Sequence, residues 1–160
     1  MKYILGIDVG TSNVKAVLFN ETGDEVKVAS RESRTIKPDK HDMEQDMLEV
    51  WSNVKTCVAE LMASGVAPKE DIIGLGVTGQ GEGCWLIDKD GNPVQNAILW
   101  CDGRAIDEVN AIVKETPEIA QFYYTTTGTH PLTGNQMILL KWMKMHRKEV
   151  LDSAQTMLFC

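Results

Sequence analysis

Three short stretches of this chain carry residue types from which chemistry could be built. The first is Gly6-Ile7-Asp8-Val9-Gly10-Thr11-Ser12-Asn13-Val14-Lys15. An aspartate near the end of an apolar run, followed by a Gly-Thr-Ser turn, sets a carboxylate beside backbone N–H groups and two hydroxyls. Glycine lets the backbone approach an anion closely, and turn amides form a concave anion nest. Asp8 suits Mg²⁺ held through waters, since that ion prefers oxygen ligands and keeps part of its hydration shell. Gly10, Thr11 and Ser12 suit a phosphate, and Lys15 adds a point charge. The structural alternative is a hairpin turn whose aspartate caps local amides. The loop is not a P-loop, because GxxxxGK[ST] does not occur.

The second stretch is Gly76-Val77-Thr78-Gly79-Gln80-Gly81-Glu82-Gly83. Gln80 and Glu82 directly follow an apolar run, and strand ends are where α/β enzymes bind small ligands. A carboxylate accepts well from a pair of hydroxyls. Gly81 and Gly83 on either side are expected to leave room for a ligand. A glycine-rich turn with an exposed glutamate is the plainer reading. The third stretch is Trp100-Cys101-Asp102-Gly103-Arg104. Trp100 suits an apolar wall under a sugar's C–H face, or a core position. Asp102 and Arg104 suit charged hydrogen bonds to a ligand, or a pair with each other.

These stretches need a framework. Residues 3–9 and 14–20 read as strands of a hairpin, with a third strand at 25–32. Met47, Val50, Trp51, Val54, Cys57, Val58, Leu61 and Met62 fall at helical spacing. Asp46 caps that helix, Glu49 completes a capping-box pattern, and Gly65 and Pro68 end it. Strands are expected at 72–78, 84–88 and 98–100, with Lys89-Asp90-Gly91-Asn92 as a type I′-like turn. Helices follow at 103–114, 117–126 and 136–147. Sequential strands, a helix, more strands and then helices make a mixed sheet with helical cover.

The 160 residues suit one domain with a full core, not a two-domain enzyme. A net charge of −7 with scattered basic residues argues against nucleic acid. The Lys141–Lys148 stretch reads as a solvated helix face. No run is apolar enough for a membrane span, and the first residues read as a strand, not a signal peptide. Cys57, Cys84, Cys101 and Cys160 lack CxxC spacing, so neither zinc nor a disulfide framework is expected. Reduced thiols in the cytoplasm follow.

Taken in order, the stretches resemble the FGGY carbohydrate kinases. The shared features are the Gly-Ile-Asp-x-Gly-Thr-Ser opening at 6–12, Glu44-Gln45-Asp46 before the first helix, and Gly-x-x-Gly-Gln at 76–80. To these are added Ile-Leu-Trp-x-Asp-x-Arg at 98–104 and Thr127-Gly128. The resemblance covers nearly the whole chain. It implies a ribonuclease H-like, actin-like ATPase fold, an α/β mixed sheet with helices on both faces. It also implies ATP and Mg²⁺, with Asp8 near the metal and γ-phosphate, and Gly10, Thr11, Ser12 and Lys15 on the phosphates. Gln80, Gly81, Glu82, Trp100, Asp102 and Arg104 would bind a small sugar or polyol. Gln-Gly-Glu-Gly looks closer to the erythritol and L-xylulose type of kinase than to the Gln-Met-His of xylulose kinases or the Gln-Arg-Glu of glycerol kinases.

The implied activity is ATP-dependent phosphorylation of a primary hydroxyl on a pentulose- or tetritol-class substrate. Residues 1–160 would form the sugar-binding and phosphate-hairpin domain, with the catalytic base and adenosine-binding domain beyond it. The fragment alone would be inactive. A homodimer is a candidate state. Two rivals remain: an actin-like or chaperone-type ATPase, which shares the Asp8–Thr11 hairpin but needs no sugar pocket, and a non-catalytic sugar-binding domain.

Overall fold

The computed structural model describes all residues, 1–160. In chain order the strands and helices are β1 (Tyr3–Val9), β2 (Asn13–Asn20), β3 (Glu25–Glu32), β4 (Glu44–Gln45), α1 (Met47–Ala63), β5 (Ile72–Gly79), β6 (Trp85–Ile87), β7 (Ala97–Ile98), α2 (Ile106–Glu115), α3 (Pro117–Thr127), α4 (Gln136–His146), α5 (Lys148–Ser153) and β8 (Thr156–Leu158). They divide into two compact units, Met1–Thr35 with Asp46–Gln80, and Ile36–Gln45 with Gly81–Cys160.

The first unit is a four-stranded sheet in the order β3-β2-β1-β5. The first three strands are antiparallel neighbours, and β5 runs parallel to β1. Alternation decides the faces, since successive side chains on a strand point to opposite sides. Leu5, Ile7 and Val9 on β1, and Val14, Ala16 and Leu18 on β2, are buried. Helix α1 packs against β2 and β3 and buries Val50, Cys57 and Leu61. Asp8 and Lys15 are exposed. The apolar stripe anticipated for α1 is wider than the face it buries: Trp51 is exposed. Asp46 does cap the helix, accepting from the backbone N–H of Leu48 and Glu49. Glu49 does not close a capping box, because its carboxylate pairs with Arg34 at 3.2 Å instead.

The second unit has its core around Cys84, Leu86, Ile98, Ala105, Ile112, Ile138, Leu139 and Met143. Helices α2 and α4 bring the last four of these residues, and Ala105 immediately precedes α2. Two pairings here were not anticipated, β4 with β7 and β6 with β8. The apolar end of the chain thus completes a small sheet. The 88–92 turn is not type I′. That turn needs two positive φ angles, and only Gly91 has one. The Asp88 carboxylate holds the turn instead, accepting from the N–H groups of Asp90 and Asn92, both at 2.8 Å.

Burial pushes the Cys84 thiol from 9.0 up to about 11, against the opposing charge of Arg104. The folded state therefore keeps a proton that the unfolded state releases between about pH 9 and 11. Stability is unaffected by this group below pH 9 and is lost as pH rises through that window, by at most about 2–3 kcal/mol. Urea denaturation from pH 8 to 11 should show a shallower alkaline decline in Cys84→Ala than in the parent chain. Parallel declines would show that Cys84 ionises equally easily in both states.

Candidate functional site

The first unit positions the phosphate-side candidates through strand register. Asp8 lies opposite Lys15 on β2 and beside Thr78 on β5. The β1–β2 turn closes with the Gly10 N–H donating to the Asn13 carbonyl at 3.0 Å. The Ser33 N–H, just past β3, donates to the Ser12 carbonyl at 2.9 Å and anchors the turn. Asp8 borders an open cleft of about 350 Å³ lined also by Gly6, Val17, Phe19, Gly76 and Thr78. An exposed carboxylate, two hydroxyls and an exposed lysine at one hairpin end fit a hydrated Mg²⁺ and a phosphate chain. Gln80, half-buried, follows β5 and closes this unit.

The second unit begins with Gly81 and Glu82. Glu82 is exposed, and its carboxylate sits at the N-terminus of α4. There it accepts from Asn135 Nδ2 at 3.3 Å and from the Gln136 N–H at 3.4 Å. Burial, followed by the negative charge of Glu82, raises the pKa of the Tyr123 phenol. The two glycines beside Glu82 differ. A side chain on Gly81 would meet open space, whereas a Cβ on Gly83 would lie 2.6 Å from the Ile98 carbonyl oxygen. Gly83, with φ +98°, therefore serves close packing and not ligand access, which corrects that part of the expectation.

The same close packing holds Trp100, whose side chain is about half exposed. A Cβ on Gly134 would fall 1.7 Å from the Trp100 carbonyl oxygen, and the Gly83 N–H donates to the Gly134 carbonyl at 3.2 Å. Three backbone segments (82–83, 98–100 and 134–136) thus converge, and Glu82 and Trp100 come from two of them.

Asp102 and Arg104 have a different place from the one expected for ligand contacts. Asp102 is wholly buried, and the Arg104 side chain is 3% exposed. Arg104 donates from Nε to Asp102 Oδ1 and from Nη2 to Asp102 Oδ2, both at 2.9 Å, and from Nη2 to Glu44 Oε1 at 2.8 Å. Asp42 adds a third carboxylate at 3.4 Å. Asp102 also accepts from the Met43 N–H at 2.7 Å. Both of its oxygens are taken by the protein, so this pair is internal framework. Burial opposes the Arg104 charge, but its bonds to Asp102 and Glu44 outweigh that and raise its pKa. The ring of Trp142 lies 5.2 Å from the guanidinium carbon.

Sequence reasoning did not find Glu44 as a partner of Arg104, nor Asn135 beside Glu82. Neither pair is close in sequence. The available signal was the polar Gly134-Asn135-Gln136 stretch ahead of a helical pattern, a helix-start signature.

Three comparisons bear on this geometry. Residues 3–160 match the N-terminal domain of the FGGY family of carbohydrate kinases. Erythritol kinase of Brucella abortus is 32% identical over 157 residues, covering 98% of this chain and 30% of the relative. Glycerol kinase of Fusobacterium nucleatum is 40% identical over 129 residues, covering 80% of this chain and 26% of the relative. Among solved structures, xylulose kinase from Rhodospirillum rubrum superposes with a TM-score of 0.88 at 27% identity, over 98% of this chain and 32% of that one. The fold is thus the actin-like ATPase, ribonuclease H-like α/β fold. The chain spans about 30% of the length of the erythritol kinase relative.

Arg104 balances three carboxylates in or near the interior. Arg104→Met should cost about 3–5 kcal/mol in urea unfolding at pH 7, because it leaves buried charge uncompensated. A loss under 1 kcal/mol would show that the cluster is well hydrated.

Proposed function

The chain belongs to the FGGY family of carbohydrate kinases, and from that premise we propose that the whole protein phosphorylates a primary hydroxyl of a small polyol or ketose with ATP. The observation that carries this reading is the exposed Glu82 carboxylate, fixed at the α4 N-terminus, where Gly134 packs against the backbone of the half-exposed Trp100. A tethered carboxylate next to an aromatic surface suits hydroxyls on one side of a carbon chain and C–H groups on the other. The proposed labour divides between two groups of residues. The first, with Asp8, Gly10, Thr11, Ser12 and Lys15, handles phosphate. Gln80, Gly81, Glu82 and Trp100 handle the hydroxyl substrate.

ATP with Mg²⁺ would supply the phosphoryl group, and transfer depends mostly on positioning and charge neutralisation. Asp8 would hold the hydrated ion, the turn N–H groups and hydroxyls would bind phosphate oxygens, and Lys15 would add a positive charge. We assign residues 1–160 the sugar-binding and phosphate-hairpin role and place the catalytic base outside them. The substrate reading is a tetritol or pentulose, supported by the Gln80-Gly81-Glu82-Gly83 sequence and by the substrate in the name of the Brucella relative. A chaperone-type ATPase, in contrast, has no use for a tethered carboxylate beside an exposed tryptophan.

A coupled assay of the full-length protein with erythritol, L-xylulose, D-xylulose and glycerol tests this directly. Turnover with at least one of them is expected, and none with any small polyol or ketose would overturn the reading. Asp8→Asn should lower kcat by several kcal/mol of barrier, roughly a hundredfold or more, with little change in polyol KM. Glu82→Ala should do the reverse, raising polyol KM about ten- to hundredfold while leaving the KM for ATP unchanged.

A further inference from the structure

We propose that Asn135 is a positioning residue for the hydroxyl substrate: together with the first N–H of α4, it fixes the Glu82 carboxylate in the orientation that receives substrate hydroxyls. This inference rests on the reading of Glu82 as a substrate contact.

Asn135 is 7% exposed and uses both ends of its side chain. Its Oδ1 accepts from the Leu132 N–H at 2.7 Å, and its Nδ2 donates to Glu82 Oε1 at 3.3 Å. The Gln136 N–H reaches the other Glu82 oxygen at 3.4 Å. Each oxygen of an ionised carboxylate accepts about two hydrogen bonds. One bond per oxygen goes to the protein, and one site per oxygen is left for a ligand. A glutamate on a glycine-flanked loop would otherwise sample several rotamers, and holding one long side chain ordinarily costs entropy on binding. Here that ordering is supplied before the ligand arrives. The partial positive charge of the α4 N-terminus favours the same position for a carboxylate. Gly134 brings this helix start against Trp100, so a single connection sets both the carboxylate and the aromatic surface.

Two substitutions isolate the role. Asn135→Asp keeps the side-chain shape and the oxygen that accepts from Leu132, but removes the donor facing Glu82. Gln136→Pro removes the other donor at the first helical position, where proline is tolerated. Asn135 already has ψ 139°, the extended conformation that precedes proline. In the full-length enzyme each should raise polyol KM, read with erythritol, L-xylulose and glycerol, by about three- to tenfold. The KM for ATP should be unchanged.

In a Glu82→Ala background neither change should raise polyol KM further. An equal rise with and without Glu82 would overturn the proposal, as would unchanged polyol KM in both single variants. If Glu82→Ala itself leaves polyol KM unaltered, the substrate assignment of Glu82 falls and this inference with it.

Discussion

The second unit depends on one buried arginine. Arg104 draws Asp42 and Glu44 from one segment and Asp102 from another, and ties the 41–45 stretch to the 97–104 stretch in a largely buried cluster. The backbone follows the same line: Leu99 N–H donates to the Met43 carbonyl, and Gly103 N–H to the His41 carbonyl. Charged pairs of this kind contribute little net stability compared with apolar packing, but they tolerate few alternative arrangements. Three carboxylates converge on one guanidinium only if both segments are in register. Trp100 leaves the interior between these anchors, and its direction is set before any ligand is present.

The first unit achieves order by different means. Its strands carry small and branched apolar residues at every second position, and α1 covers the face they make. The chemistry-bearing residues sit at the other parity. Asp8 and Lys15 are exposed because Ile7, Val9, Val14 and Ala16 are buried. A shift of one residue in the β1–β2 pairing would exchange the two sets. The apolar core thus fixes where the candidate residues Asp8 and Lys15 point.

Much of this was legible in the sequence, and the reasons differ by residue. Strands β1, β2 and β3 and helix α1 announce themselves through period and caps, which are local signals. Asp46 caps α1 as its position suggests. What stayed hidden is non-local. Nothing near Arg104 in sequence says that Glu44 will neutralise it, and nothing near Glu82 points to Asn135. Gly83 and Gly81 look alike in the chain, yet one is packed against the Ile98 carbonyl and the other faces open space. The strands β4, β7 and β8 are two or three residues long, too short for alternation to show. Asp102 and Arg104 were expected to contact substrate, with a mutual pair as the alternative, and their burial, which the sequence does not reveal, decides for the framework role.

The central claim is that substrate hydroxyls meet the chain at Glu82 and its neighbours, and phosphate at the β1–β2 turn. Hydrogen–deuterium exchange of the full-length protein, with erythritol, L-xylulose or glycerol and separately with Mg²⁺ and a non-hydrolysable ATP analogue, tests this most directly. The account predicts that the polyol or ketose that is the substrate slows exchange at residues 81–83 and 134–136, and that the nucleotide slows exchange at residues 9–13. Protection at 9–13 by the hydroxyl substrate, with none at 81–83, would contradict it.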